Sequence, residues 1–344
     1  MIESFLIALT AAALTAAFLF WLLRNDSILL AKDMPSSRGL HQRVVPRGGG
    51  LAIFAVVTLL AALGYLNGTR GAELTLVTVA SLVGVAVMGF LDDRFNLSVS
   101  GRFLAGFAFT ALLAAGSLAD QPVLMFGQEY NLSSGVLVVV GALSIFWLMN
   151  LFNFMDGADG VAGVQSLVAS AVLAFWFAYE GQEFLALVNS ALAGACLGFL
   201  WFNWSPARVF MGDVGSLALG AWFGVMSLIG VTRFGLPLEA LLTLLGVFVF
   251  DATLTLFRRL FKGKRITQAH REHLYQKLIL AGFSHAQVSV LVGVMALVAA
   301  FLATLTVWRP DRGLWFFVVA LVMLLGFAIF VMRTSARIPE RVEN

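Results

Sequence analysis

Charge is what this sequence has least of. Only 12% of its 344 residues are Asp, Glu, Lys or Arg, whereas 60% are hydrophobic and the mean hydropathy is +0.93. Soluble domains carry about a quarter charged residues, so this shortage excludes a soluble globular chain. Lipid offers the backbone no hydrogen-bond partner, so only helices or a closed barrel can span it. The apolar runs lack the period-two alternation of barrel strands; they are long and unbroken, which excludes the barrel. The expected fold class is all-α, a polytopic integral membrane helical bundle with one domain over residues 1–344.

Cysteine is nearly missing as well. Cys196 stands alone inside an apolar run, so no intrachain disulfide can form and the thiol reads as packing. The net charge of +3 and pI near 9.3 raise nucleic acid as a partner. The basic residues instead occupy membrane-flanking loops, where the positive-inside rule puts them, so no nucleic-acid binding is expected. Lys and Arg are also absent ahead of the first apolar run, Phe5 to Leu23, which Arg24 follows directly. That polarity is wrong for a cleaved signal and predicts an uncleaved first helix with its N-terminus outside. No internal repeat or low-complexity tract is present.

A membrane span takes about 20 apolar residues. On that template helices are expected at 4–23, 49–66, 74–91, 102–118, 135–152, 161–179, 184–202, 217–232, 238–257, 287–307 and 314–332, about eleven in all. Eighteen of the 22 basic residues fall in one set of loops, and only Arg70, Arg233, Arg309 and Arg312 fall in the other. This bias predicts an outside N-terminus and a cytoplasmic C-terminus. The cytoplasmic loops are then 24–48, 92–101, 153–160, 203–216 and 258–286. Nearly all the unusual polar sequence lies in them, so the chemistry is expected on the cytoplasmic face of an inner membrane.

Five clusters carry that chemistry. Asp92 and Asp93 are adjacent carboxylates at a membrane boundary, where desolvation and mutual repulsion demand a cation or a proton; a solvated helix end partnered by Arg94 and Arg102 is the plainer reading. Asn153, Asp156 and Asp159 follow at three-residue steps among glycines, on one helix face or in a tight cation loop. Oxygen-only ligands favour a hard ion such as Mg²⁺, the twelve-residue calcium pattern lacks its terminal Glu, and a capped polar turn is the alternative. Asp213 lies between Gly212 and Gly215 before another span, where the helix N-terminus favours phosphate, or where Asp213 or Ser216 simply caps.

The fourth cluster, Lys262 to His273, holds two of the four histidines, His270 and His273, with Arg271 between them. No cysteine or third clustered histidine completes a zinc site. Basic side chains with histidine suit a pyrophosphate, and a loop that only meets lipid head groups is the alternative. The fifth runs from Asp33 through Pro35, Arg38 and His41 to Arg47-Gly48-Gly49-Gly50. Arginine with a glycine backbone could meet a phosphate, or the glycines could allow close helix packing. Asp251 stands inside an apolar span above Arg258 and Arg259, which makes it a functional candidate or half of a structural ion pair. Carboxylates for a metal, cations for phosphates and glycines for close approach, all on one face, fit phosphoryl transfer.

Gly89-Phe-Leu-Asp-Asp-Arg94, Asn153-Phe-Met-Asp-Gly-Ala-Asp-Gly160, Phe210-Met-Gly-Asp-Val-Gly-Ser216 and His270-Arg-Glu-His273 resemble, in this order, motifs of the polyprenyl-phosphate N-acetylhexosamine-1-phosphate transferases, the MraY/WecA superfamily. The resemblance covers nearly the whole chain. It implies transfer of a sugar-1-phosphate from a UDP-N-acetylhexosamine to undecaprenyl phosphate with release of UMP, dependent on Mg²⁺ with Mn²⁺ as the other candidate. It implies Asp213 as a metal ligand with Asn153 near the metal, and Asp92 and Asp93 at the lipid phosphate. Asp156 and Asp159 would bind nucleotide or order the site. His270, Arg271, His273, Arg47 and Asp251 would serve on the substrate side. The peptidoglycan branch has three consecutive histidines in the last loop; this chain reads His-Arg-Glu-His-Leu-Tyr-Gln, which is similar to WbpL-type O-antigen initiators acting on 6-deoxy sugars such as FucNAc or QuiNAc. One-step transfer and a route through a covalent Asp intermediate both remain open, as does a homodimer. A transporter or flippase of a lipid-linked sugar is the rival reading, disfavoured because the span centres are nearly clean of polar groups.

Overall fold

The computed structural model describes residues 2–33, 44–69, 72–119, 122–265 and 270–336. Thirteen helices carry the described fold: α1 (Ile2–Arg24), α2 (Gly50–Leu66), α3 (Ala72–Phe95), α4 (Val99–Ser117), α5 (Ser134–Met155), α6 (Val161–Tyr179), α7 (Glu183–Asn203), α8 (Asp213–Phe234), α9 (Leu238–Leu244), α10 (Gly246–Phe261), α11 (Leu274–Leu280), α12 (His285–Trp308) and α13 (Gly313–Ala336). Two small antiparallel hairpins accompany them, β1 (Ala31–Asp33) with β2 (Val45–Arg47) and β3 (Val123–Met125) with β4 (Gln128–Tyr130).

The all-α class holds. Among the described residues, eight helices are long and apolar enough to cross a membrane, or nine if the bent α9–α10 pair counts as one span; α2, at 17 residues, is shorter. Burial sorts them into layers. α7 and α8 are buried nearly all round, as a helix surrounded by other helices must be. α1, α4 and α13 turn most of their apolar surface outward, which suits lipid contact. α8 packs between α3 and α5, α7 packs against α1, α2 and α6, and α12 lies over α6 and α9.

Helix ends depart from expectation in ways that shape the site. α3 runs on to Phe95, so Asp92 and Asp93 ride its last turn rather than a loop. α5 extends to Met155 and carries Asn153. α8 begins at Asp213 itself. The expected straight span 238–257 is broken at Leu245, where α9 and α10 meet at 82°. The elements not foreseen include the β1–β2 hairpin inside the loop 24–48, α11 inside the loop 258–286, which starts where Gln276 and His273 form a capping box, and the β3–β4 hairpin at the opposite end of the bundle.

Candidate active site at one end of the bundle

The loop 203–212 and the segment 44–50 meet first. Arg47 and Phe210 form a parallel bridge, and the backbone N–H groups of Gly48, Gly49 and Gly50 donate to Phe210 O and Met211 O. A Cβ on Gly50 would lie 2.2 Å from Gly215 Cα. The glycine run therefore serves close packing, and its donors are taken by carbonyls rather than offered to a phosphate. The Pro35–His41 part of this cluster lies outside the described residues.

That packing sets Arg47 between two carboxylates. Its Nε is 2.7 Å from Asp93 Oδ1, and its terminal nitrogen pairs with Asp213 Oδ1. Asp93 in turn accepts the N–H of Asp213 at 2.9 Å and of Val214 at 3.1 Å. The N-cap of α8 is Gly212, which has no side chain to offer; Asp93, reaching across from α3, satisfies the first free N–H groups and places its charge at the favourable end of the helix dipole. Asn153 donates to Asp213 Oδ1 at 2.9 Å and to Ser216 Oγ at 3.1 Å. Arg102 on α4, one of the two cations the sequence offered as partners for the Asp92–Asp93 pair, pairs with Asp92 and stands 3.7 Å from Asp213 Oδ2. The backbone N–H of Leu97 also donates to Asp92. Asp92, Asp93, Asp213, Asn153 and Arg47 thus form one cluster at the ends of α3, α5 and α8.

Asp156 follows directly after α5, half-buried, with no hydrogen bond or ion pair to another described side chain. Burial pushes its carboxyl well above the usual carboxylate range; Arg47 opposes this, and Asp213, Asp93 and Asp159 reinforce it. Asp159 is placed differently. It is buried at a joint between α6, α12 and the loop 203–212. Its carboxylate accepts the N–H of Ala207 at 3.2 Å and lies 3.7 Å from His285 Nδ1, while Ser289 donates to its carbonyl. Its contacts are those of an ordering residue.

The histidine loop closes the other side. Asp251, fully buried on α10, accepts the N–H of Leu274 at 2.9 Å and of Tyr275 at 3.3 Å, and faces His273 Nδ1 at 3.3 Å. It caps α11 and turns the outer edge of the His273 ring away from itself. Asp251 therefore anchors the histidine loop and pairs with His273 rather than with Arg258 or Arg259. His273 stacks on Phe154, 6.3 Å between ring centres, and on Tyr275, and His270 lies 5.0 Å from it. Burial, then the charges of His273 and Arg259, hold the His270 imidazole down to about 4, so it is neutral at ordinary pH. Arg271 is half-buried in the same loop.

Two contributors here escaped the sequence reading. Glu272 gathers Arg258, Arg259 and Lys264, which commits much of the loop's basic charge to folding it. Tyr275 is buried and donates to Phe154 O at 3.0 Å, tying the histidine loop to the end of α5. A tyrosine at the second position of a seven-residue helix carries no pattern that marks this bond.

Chemically, the cluster offers hard oxygen donors: Asp213 in the centre, Asp92 beside it, and Asp156 unpaired. Among the described residues no group of three or more His, Cys, Asp or Glu side chains closes a metal site by itself. Mg²⁺ does not need one, because it binds through one or two carboxylates and completes its shell with water and substrate phosphate. The donor set fits that ion.

The chain matches glycosyl transferase family 4 over residues 74–231. It is 30% identical over 317 residues to a probable undecaprenyl-phosphate N-acetylglucosaminyl 1-phosphate transferase of Bacillus subtilis (strain 168), covering 88% of this chain and 86% of that one. It is also 30% identical over 363 residues to a decaprenyl-phosphate N-acetylglucosaminephosphotransferase of Mycobacterium leprae, with 96% and 90% covered. An undecaprenyl-phosphate alpha-N-acetylglucosaminyl 1-phosphate transferase of Escherichia coli (strain K12) is 28% identical over 357 residues, with 96% and 92% covered.

Proposed function

The chain belongs to glycosyl transferase family 4, in the superfamily of polyprenyl-phosphate N-acetylhexosamine-1-phosphate transferases, and from that premise we propose that it moves an N-acetylhexosamine-1-phosphate from a UDP-sugar to undecaprenyl phosphate with release of UMP. The single observation that carries the reading is the carboxylate–arginine cluster around Asp213, gathered from α3, α5, α8 and the end of β2 at one end of an otherwise apolar bundle. The Lys and Arg bias supports a reading in which that end faces the cytoplasm at the inner membrane.

In this reading an oxygen of the lipid phosphate attacks the β-phosphorus of the nucleotide sugar. A new P–O bond joins lipid phosphate to sugar phosphate, the old pyrophosphate bond breaks, and its bridging oxygen leaves with UMP. Asp213, with Asn153 beside it, would hold a Mg²⁺ (or Mn²⁺) ion, which would supply charge neutralisation on the pyrophosphate. Arg47 and Arg102 hold the carboxylates in place, and Arg102 beside Asp92 can meet the lipid phosphate. The neutral His270, with Arg271 and the outer edge of His273, offers hydrogen bonds to the sugar-phosphate side. An apolar groove of about 220 Å³ runs between α5, α8 and α9, from Val123 at the far end of the bundle to Leu148 and Val249, and offers an apolar seat for part of a prenyl tail. The Tyr275-Gln276 pair in the histidine loop supports a donor other than the peptidoglycan precursor, with 6-deoxy N-acetylhexosamines such as FucNAc or QuiNAc as candidates and initiation of O-antigen or another envelope polysaccharide as the role.

The test is UMP release by the purified protein given undecaprenyl phosphate, Mg²⁺ and a panel of UDP-N-acetylhexosamines that includes GlcNAc, FucNAc and QuiNAc. Release that needs lipid, metal and one sugar names the donor. Asp213→Ala should abolish it in a protein that stays monodisperse; normal turnover in that variant removes the metal assignment. No release from any donor, with movement of a lipid-linked sugar across vesicles, would favour the flippase.

A further inference from the structure

The break between α9 and α10 has no proline within it and needs another cause. In a continuous helix the Leu244 carbonyl would take the N–H of Phe248. Here that N–H goes to Leu245 O, and so does the N–H of Val249. The Leu244 carbonyl is left over, in the middle of a membrane bundle where no water compensates it. Gln165, fully buried on α6, donates its side-chain N–H to that carbonyl at 3.1 Å. Its own Oε1 has no hydrogen-bond partner among the described residues, so a polar side chain has been buried there for this one bond.

The other end of α9 is fixed in a similar way. Glu239, also fully buried, accepts the N–H of Phe126 from the β3–β4 hairpin at 3.1 Å. The short helix is therefore held at both ends by buried polar side chains, and its angle to α10 is set. That angle matters because α10 carries the histidine side of the site. Asp251 on α10 caps α11 and faces His273, Arg258 donates to Glu272 O, and Arg259 pairs with the Glu272 carboxylate and donates to Arg265 O at 2.7 Å.

We propose that Gln165 is a positioning residue: by satisfying the Leu244 carbonyl it holds the broken form of the helix, and so aims Asp251 and the His270–His273 loop at the cluster around Asp213. Its consequence for turnover rests on the transferase reading above; its consequence for the bend does not.

Spin labels on cysteines replacing Leu238 and Phe261 measure the bend in the whole chain in nanodiscs, since the native Cys196 is buried. At 1.5 Å per residue the bent pair spans about 28 Å and a straight helix would span about 35 Å. The unsubstituted Gln165 protein should give one narrow distribution at the short distance, and a broad or two-peaked one overturns the proposal without any variant. Gln165→Leu should shift and broaden it toward the long distance. In the UMP assay the same variant should lower kcat at least tenfold and raise the donor KM. The KM for undecaprenyl phosphate should stay within threefold, because Asp92 and Arg102 do not hang on α10. Gln165→His, which offers a ring N–H at similar reach, should recover the short distance. An unchanged distance and unchanged kinetics in Gln165→Leu would sink the idea, and a shifted distance in a protein that never released UMP would remove the transferase reading and leave the bend assignment standing.

Discussion

Asp93 lies 120 positions before Asp213, yet its carboxylate accepts the backbone N–H of Asp213 at 2.9 Å and so caps the helix that Asp213 begins. The bond couples the two acidic motifs directly. The residue that caps α8 also orients the residue proposed to hold the metal, and Arg47 bridges both. This arrangement explains how two carboxylates survive on the last turn of α3, where the helix dipole is unfavourable to them: the dipole of α8 and two arginines compensate.

Asp93→Ala removes that cap and strips Arg47 of one partner. Losing a cap costs about 1 kcal/mol, and leaving a partly buried charge short of a partner adds a similar amount or more. The variant should melt several degrees lower in detergent and release no UMP. Asp93→Asn keeps one acceptor for the Asp213 N–H and should recover most of the melting temperature but little of the activity. Equal melting temperatures for the Ala variant and the unsubstituted protein would show that the cap contributes nothing.

Tyr275→Phe isolates the tie between the histidine loop and α5. The lost hydroxyl leaves Phe154 O without its 3.0 Å donor, a cost of about 1–3 kcal/mol for a buried acceptor. A small positional error in the loop is worth a rate loss of order tenfold or more. Thermal unfolding and kcat should fall together, with little change in the KM for undecaprenyl phosphate. An unaffected kcat would mean that the loop finds its place without Tyr275.

The residues of the site were legible in sequence because charge is so scarce in the chain. Against an apolar background, Asp92, Asp93, Asp156 and Asp213 could hardly be missed, and the bias of Lys and Arg assigned them to one face. Their connections were not legible. Asp159 sits at the same three-residue step as Asn153 and Asp156, yet Gly160 adopts a positive φ of 78° and turns the chain, so that Asp159 is drawn to Ala207 and His285 instead. Asp251 was visible as an intramembrane carboxylate, but its partner lay in a loop whose helix α11 was too short to show periodicity. The break at Leu245 is marked in sequence by Gly246 alone, and Gln165, which satisfies the carbonyl that the break frees, lies 79 residues from it.

Gly89 shows what close approach demands. A Cβ there would lie 2.3 Å from Asp213 O, a backbone atom that cannot yield without moving the site. Gly89→Ala should therefore destabilise by at least the 1–3 kcal/mol typical of overpacking and reduce UMP release with it. Gly326, on α13, has nothing within 4 Å of its missing Cβ. Gly326→Ala should be neutral or stabilising by up to about 1 kcal/mol, the helix-propensity gain. The reverse order of melting temperatures would contradict the packing of α3 on α8.

His270 gives the protein a pH signature with a definite sign. Its imidazole is held at about 4, through burial first and then the charges of His273, Arg259 and Arg258 against the pull of Glu272; in an unfolded chain it titrates near about 6.5. Between these values the unfolded chain holds a proton that the folded loop refuses, so stability rises with pH. The contribution of neutral His270 is fully present above about pH 6.5 and is lost as pH falls toward 4. Glu272 acts elsewhere on the scale: burial pushes its carboxyl up, Lys264 and Arg259 outweigh it, and the net lowering takes effect only below its ordinary range. Asp156, whose carboxyl is held well above its ordinary range, also takes up protons as pH falls, so the His270 contribution is read as the difference between the unsubstituted protein and His270→Gln in melting temperatures taken between pH 6.5 and 5. Over that interval the unsubstituted protein should lose more of its melting temperature than His270→Gln, which has no proton to accept. Parallel curves for the two proteins would mean that His270 is charged in the folded loop, and that its hydrogen bonds to the sugar-phosphate side have to be redrawn as those of a cation.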